Sequence, residues 1–247
     1  MLNPPTQQQM FDFVSSTHAM DRIDVYPDQL NNTWNQKGNP NPYAQGHFRA
    51  LMYIRDTILP SSDFPAKAVQ TISCIGDSEK ALFWLKEIHR KIVTPLVNHE
   101  LLADDENAPT ATMIGSYRKS PIMAITKPAP APDAIPHLLH NWIIEYASFH
   151  NKIKDKIDNP YGITKEIGTE LYRKLVNINL FFCTVQPFAC LNQRMGRFVE
   201  NTFRLAWRLP IKNYSATSDE YRRFPKDLTD FEATISTLMS AAKNVRG

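Results

Sequence analysis

The chain has 247 residues, of which 43% are apolar and 21% charged, and its formal net charge is +3 at pH 7. This length suits one domain with a sizeable core, and the interspersed charges argue against a nucleic-acid-binding surface. The three cysteines lack the spacing of metal ligands. No apolar run approaches the roughly 20 residues that span a bilayer, and the N-terminus lacks a signal-peptide pattern. We therefore predict a cytoplasmic protein without membrane contact.

The first part of the chain predicts helices separated by loops. Residues 1–10 are polar and rich in Pro and Gln, and we expect them to be flexible. Pro27 and Asp28 are typical of the start of a short helix. Residues 43–59 place apolar side chains at three- and four-residue spacing, which predicts an amphipathic helix. Residues 77–97 repeat this pattern.

The pattern changes in the middle of the chain. Residues 110–127 carry β-branched and aromatic residues around Gly115, followed by a polar stretch from Arg118 to Pro121. These features predict a β-hairpin that turns at Arg118–Pro121. Residues 128–136, PAPAPDAIP, follow as a stiff linker.

Helix signals resume after the linker. They cover residues 136–156, the strongly apolar residues 168–185, residues 194–209 and residues 224–244. The predicted fold class is therefore mainly α, a helical bundle with one short β-hairpin. Residues 215–247 are expected to form a C-terminal helical extension.

The loop between the helices at 168–185 and 194–209 has the features of an anion site. Backbone N–H groups and the dipole at a helix N-terminus attract phosphate. Arg194 and Arg197 lie three residues apart, so both reach one face of the first turn, and Asn192 could add an amide donor. The alternative is that both arginines pair with surface carboxylates.

These residues resemble the signature of the Fic family, His-Pro-Phe-x-[Asp/Glu]-Gly-Asn-Gly-Arg-x-x-Arg. Residues 186–197 read QPFACLNQRMGR, and five positions match in register: Pro187, Phe188, Asn192, Arg194 and Arg197. The surrounding segments are similar as well. Residues 115–125 resemble the family's flap hairpin, residues 128–143 the link and helix after it, residues 86–92 the preceding helix, and residues 15–20 an N-terminal Ser-Ser-x-Ile-Glu-Gly element. The resemblance covers residues 11–214.

Fic enzymes generally move AMP from ATP onto a protein hydroxyl, and the resemblance implies that the parts needed for this are missing here. Gln186 replaces the histidine base and cannot take up a proton at neutral pH. Cys190 replaces the metal-binding acid, and a thiol is a poor Mg²⁺ ligand. Leu191 and Gln193 replace the two phosphate-loop glycines, at a cost of about 1 kcal/mol wherever the backbone needs positive φ.

Two further roles follow from the resemblance. The flap would dock a protein target through Tyr117, Arg118, Lys119 and Ser120. In relatives with the N-terminal element, its glutamate pairs with the second motif arginine and blocks productive ATP binding. The aligned position here is Ala19, with Asp21 two positions late, so we expect this inhibitory contact to be absent.

The preferred hypothesis is a degenerate Fic-fold protein that has lost AMP transfer. It would keep a nucleotide or phosphate pocket at Leu191, Asn192, Gln193, Arg194 and Arg197, with ATP or another nucleotide as ligand and no firm Mg²⁺ site. A protein partner would bind at the flap, in the host cytosol if the chain is a secreted bacterial effector. Two alternatives stay open: a transferase that moves AMP or another nucleotide-linked group without a histidine, and a partner-binding protein with an empty pocket.

Other candidate sites are weaker. His137 and His140 have i, i+3 spacing but no third metal ligand nearby in sequence. Cys190 could be a nucleophile beside arginines that lower its pKa, or a small loop residue. The acidic residues 103–107 are typical of a solvated loop, and the basic-aromatic residues 221–226 of an exposed linker.

Overall fold

The computed structural model describes residues 5–54, 78–157 and 163–214, apart from residues 22, 39, 104, 107, 125, 126 and 208. The described residues form seven α-helices: α1 Gln7–Met20, α2 Pro27–Trp34, α3 Pro42–Tyr53, α4 Ser78–Val93, α5 Ile135–Ile157, α6 Lys165–Thr184 and α7 Asn192–Ala206. The predicted mainly α class is confirmed. Cys74, the 221–226 patch and the predicted C-terminal extension lie outside the described residues.

Local side-chain caps fix where several helices begin. The Thr6 hydroxyl accepts the Gln9 N–H at 3.2 Å, and the Gln9 side chain accepts the Thr6 N–H at 2.8 Å. This capping box starts α1 at Gln7, inside the segment predicted to be flexible. The Asn41 and Thr164 side chains cap α3 and α6 with one hydrogen bond each, accepted from the Ala44 and Ile167 N–H groups.

Helices α6 and α7 form the centre of the bundle and present the candidate loop between them. Their close approach depends on Gly196, because a Cβ there would meet Asn179 Oδ1 at 2.9 Å and Phe182 Cβ at 3.1 Å. The side chains buried around this contact are largely aromatic: Phe13, Tyr146, Phe181, Phe182, Phe188, Phe198 and Phe203. The loop at 185–191 is therefore held by a rigid core.

A second tight helix contact joins α3 to α4. A Cβ on Gly46 would lie 2.3 Å from the carbonyl oxygen of Ile92, so only glycine fits at this crossing. Helix α3 in turn packs on α1, and the His47 ring stacks on Phe198 of α7 with ring centroids 5.1 Å apart. These contacts bring α1, α3 and the start of α7 together.

The predicted hairpin is replaced by a different pairing in the described residues. Tyr117 forms an antiparallel bridge with Phe188 of the motif loop, and Met123 forms one with Pro128. The Ala124 N–H donates to Lys127 O at 2.8 Å. The described residues show no turn at Arg118–Pro121, because the backbone of Arg118 is engaged with the motif loop. None of the helices in the described ranges is long and apolar enough to cross a membrane.

Candidate functional site

The motif loop is short and holds two left-handed residues. It runs from Val185, the C-cap of α6, to Leu191, the N-cap of α7. Gln186 has φ +46° and Leu191 has φ +56°, a region that costs a non-glycine residue about 1 kcal/mol or more. Leu191 therefore stands where glycine would be less strained. Gln193 lies in the first turn of α7 and is exposed, so it carries no such strain.

Asn192 holds the loop closed rather than pointing an amide at a ligand. Its Oδ1 accepts the Phe188 N–H at 2.9 Å, and its Nδ2 donates to the Phe188 carbonyl at 3.0 Å. The side chain is buried. Both polar ends are thus used by one backbone residue, which fixes the path of the chain into α7.

Arg194 and Arg197 converge on one carboxylate. Arg194 Nε lies 2.5 Å from Asp21 Oδ2, and Arg197 Nη2 lies 2.8 Å from each Asp21 oxygen. The side chains of Arg194, Arg197 and Asp21 are 8%, 3% and 15% exposed. The arginines therefore form a shielded cluster, not the surface pairs that were the sequence-based alternative.

The acid facing the arginines was expected to be absent, and that expectation is wrong. Ala19, the position predicted by the resemblance, is exposed on α1. Asp21 is the C-cap of α1, with φ −94° and ψ 9°, so its backbone has left the helix two residues after Ala19. Its side chain reaches α7 because the helix ends at Met20.

Tyr43, in the first turn of α3, packs its ring against the Arg194 guanidinium. The Arg194 guanidinium lies 4.9 Å from the centre of the Tyr43 ring, a cation–π distance. Burial raises the pKa of Tyr43, while Arg194 opposes the shift. Tyr43 gave no signal in the sequence, because its role depends on how α3 packs against α7.

Gln186 faces the flap, not the arginine pair. Its Nε2 lies 3.5 Å from the carbonyl oxygen of Met123, at the outer limit of a hydrogen bond. The amide has no titratable group near neutral pH. It can orient a neighbouring group but cannot remove a proton from a hydroxyl.

The flap is joined to the motif loop by backbone hydrogen bonds. The Arg118 N–H donates to Pro187 O and the Ala189 N–H donates to Ser116 O, both at 3.1 Å. Lys119 and Ser120 are exposed beyond this joint. Tyr117 is half-buried, with Lys86 Nζ 4.5 Å above its ring.

Arg118 was predicted to dock a target, but its side chain is buried inside the joint, 5% exposed. Its Nε donates to Gln186 O at 2.9 Å and its Nη2 to Val185 O at 3.2 Å. Further donations go to the carbonyls of Ser120 and Pro130. Burial lowers the pKa of Arg118. The guanidinium ties the flap to the end of α6 and is not available to a partner.

His89 of α4 bridges the same two segments. Its Nδ1 accepts the Gly115 N–H at 3.1 Å, which leaves the ring proton on Nε2 to donate to Cys190 O at 3.1 Å. The ring stacks on Phe188 with centroids 4.3 Å apart. Burial lowers the pKa of His89 to about 4, so the imidazole is neutral and structural. Sequence reasoning missed this residue.

Cys190 lacks the character of a nucleophile. Burial raises the pKa of its thiol to about 11, and the opposing effect of Arg194 is smaller. Its Sγ lies 3.7 Å from His89 Nε2, which already donates to a carbonyl. The thiol is therefore protonated near neutral pH.

The remaining candidates do not form sites in the described residues. His137 is exposed on α5 with Asn141 Nδ2 3.1 Å from its Nε2, and His140 is half-buried. Asp105 and Glu106 of the acidic run are exposed. Across the described ranges, no three His, Cys, Asp or Glu residues are grouped as metal ligands.

No family model matches the chain, and no curated protein matches it. Among solved structures, it is similar to the crystal structure of a Fic family protein from Desulfovibrio desulfuricans, at 17% identity and a TM-score of 0.45. The match covers 95% of this chain and 58% of that chain, so this chain spans less than two thirds of that protein's length. A likeness at this level does not extend to activity or to individual residues.

Proposed function

We propose that the chain is a divergent Fic-family protein whose motif loop binds a phosphate group but does not transfer AMP. The observation that carries the proposal is the convergence of Arg194 and Arg197 on the single carboxylate of Asp21. Two buried guanidinium groups at a helix N-terminus are a site for an anion. The carboxylate of Asp21 stands in for that anion.

Phosphate suits this site better than a carboxylate ligand does. Three anionic oxygens can engage both guanidinium forks and the first N–H groups of α7 together. Arg194 Nη1 and Arg197 Nε are buried and have no hydrogen-bond partner among the residues that the structure describes. These donors remain for an anion with more oxygens than Asp21 supplies.

Asp21 makes binding conditional. A ligand must first displace a carboxylate that two arginines hold at 2.5–2.8 Å. The apparent affinity is then the intrinsic affinity reduced by the fraction of molecules in which Asp21 has moved away. Removal of the Asp21 charge should therefore strengthen anion binding.

The chemistry for transfer is lacking in the residues that replace the motif. Gln186 cannot act as a base, and loss of a general base typically costs about 10²–10⁴ in rate. Cys190 offers a protonated thiol, not a carboxylate, to a hard cation. A histidine-independent transferase would need another group to accept the hydroxyl proton. The described residues around Gln186 supply the Met123 carbonyl, which is a poor base.

Calorimetry with ATP and with sulfate, on wild-type protein and Asp21→Asn, tests the binding claim. We expect tighter binding to Asp21→Asn, and loss of binding when Arg197→Ala is added. Asp12→Asn, within α1 and bonded to Gln8 rather than to an arginine, is the matched control and should behave as wild type. Binding that survives Arg197→Ala, or no binding to any variant, would overturn the proposal.

Incubation with radiolabelled ATP and Mg²⁺ or Mn²⁺ tests the transfer claim. No covalent label should appear on the protein or on added proteins from a cell extract. Label that disappears in Arg194→Ala would instead identify an active transferase and would refute the second half of the proposal.

A further inference from the structure

Two histidines lie buried beside the arginine pair, and the function proposed above does not use them. His18 of α1 and His47 of α3 are fully buried, with ring centroids 4.5 Å apart and planes at 90°. His47 is accounted for in part, because its Nδ1 lies 2.6 Å from the Tyr43 carbonyl and its ring stacks on Phe198.

His18 has no such explanation. Among the described residues, neither of its ring nitrogens makes a well-formed hydrogen bond, and the neighbouring Thr17 hydroxyl makes none either. The Tyr43 backbone gives His18 only a weak contact, because its carbonyl is already bonded to His47 Nδ1. Buried polar groups are nearly always paired, since an unpaired one costs about 1–3 kcal/mol. A buried imidazole without a well-formed hydrogen bond among the described residues is therefore able to donate to a bound ligand.

The charges around His18 come from three elements. Asp21 follows it at the end of α1, Arg194 and Arg197 face it from α7, and Tyr43 and His47 face it from α3. Burial and the two arginines lower the pKa of His18 to about 3, while Asp21 and, more weakly, a hydrogen bond to the Tyr43 backbone oppose them. With the Asp21 carboxylate on the arginines, His18 is therefore neutral at ordinary pH.

We infer that His18 is a third binding residue of the anion site, which takes up one proton and donates a ring N–H to the bound phosphate. The inference rests on the proposed function, since it needs an anion at Arg194 and Arg197. A dianion adds one negative charge more than the carboxylate it displaces. That charge favours the imidazolium, and the proton comes from solvent. The site would then recognise the dianionic form of a phosphate group and bind it more tightly as pH falls.

Sulfate is the appropriate probe, because it stays a dianion throughout the range in which histidine titrates. Asp21→Asn is the appropriate background, because it removes Asp21 itself as a source of pH dependence. We expect sulfate affinity to rise as pH falls below about 6.5, the range in which a histidine beside an anion titrates, by at most about tenfold per pH unit. Calorimetry in two buffers of different ionisation enthalpy should show uptake of close to one proton per sulfate.

Variants at the two histidines assign the proton. His18→Asn in the same background should bind sulfate with little pH dependence and no proton uptake. His47→Asn is the matched control, because His47 is equally buried and its ring centroid lies 4.5 Å from that of His18. This variant should keep both the pH dependence of sulfate binding and the proton uptake. If His18→Asn fails to fold, the proton count on Asp21→Asn alone decides the matter, and zero uptake overturns the inference.

The failures of the two proposals are distinguishable. Absence of sulfate binding at every pH would reject the anion site and His18 with it. Binding that requires Arg197 but does not vary with pH would leave the anion site standing and reject the role of His18. Proton uptake that persists in His18→Asn, or that is lost in His47→Asn alone, would also reject it. ATP and AMP in place of sulfate then show whether the phosphate arrives on a nucleotide.

Discussion

Substitution of Asp21 by asparagine separates a structural ion pair from an occupied ligand site. Asparagine keeps the size and one acceptor oxygen of Asp21 but removes the charge that both arginines contact at 2.5–2.8 Å. Breaking a buried ion pair from one side costs about 3–5 kcal/mol. We expect the lower end, about 3 kcal/mol, because the amide oxygen still accepts one hydrogen bond.

The free energy of unfolding that is lost without the Asp21 charge should appear as a gain in the free energy of anion binding. In the wild type, an anion must displace Asp21 before it meets the arginines, whereas in Asp21→Asn that competition is gone. At about 1.4 kcal/mol per factor of ten, 3 kcal/mol corresponds to an affinity gain of at most about a hundredfold. The loss of stability without ligand therefore sets the upper limit of the gain.

Urea denaturation and calorimetry on one pair of proteins measure both quantities. We expect Asp21→Asn to unfold at lower urea without sulfate, and saturating sulfate to return most of the lost stability. A variant that is destabilised but binds sulfate no more tightly than wild type would refute the reasoning. Asp21, Arg194 and Arg197 would then form a structural ion-pair cluster and not a ligand site.

Three other predictions concern the scaffold that holds the site. In urea denaturation, Gly46→Ala should lower the free energy of unfolding by about 3 kcal/mol or more, because the new Cβ meets Ile92 O at 2.3 Å. Gly168→Ala, where the nearest atom is 4.0 Å away, should instead gain up to about 1 kcal/mol; equal effects would contradict this. Arg118→Ala should lower the free energy of unfolding by about 2–4 kcal/mol and speed amide hydrogen exchange where the flap meets the motif loop. Arg118→Lys should not restore the lost stability, since one ammonium cannot reach carbonyls on separate sides. Cys190 should react with iodoacetamide at least about a hundredfold more slowly than a model thiol at neutral pH. Its reaction should become faster as pH rises toward the thiol pKa of about 11. Rapid, pH-independent labelling of Cys190 in peptide mapping would contradict a protonated thiol.

Helix content was readable from the sequence because its signals are local. Amphipathic spacing predicted the helices around Phe48, Ile88 and Leu175. The caps at Thr6 and Thr164 set boundaries that spacing alone did not give. The arginine pair was also readable, because three-residue spacing on a helix needs no tertiary information.

What the sequence could not supply were contacts between distant segments. Asp21 and Arg197 are 176 residues apart, and the resemblance pointed to Ala19, two residues before the carboxylate that the fold brings to the arginines. Arg118 looked like an exposed turn residue, since nothing local shows that its guanidinium is enclosed by carbonyls from the motif loop, from Pro130 and from Ser120. His18 carried no signal at all until α1, α3 and α7 were brought together.

In the proposed function, the arginine pair binds a phosphate-bearing ligand without transferring its phosphate group. ATP radiolabelled on its α-phosphate tests both parts in one experiment on Asp21→Asn. We predict that label stays with the native protein on a filter, that Arg197→Ala abolishes this retention, and that denaturation releases all of it. Label that survives denaturation would contradict the claim by showing transfer, and absence of native retention would contradict it by showing that the site does not bind nucleotide phosphate.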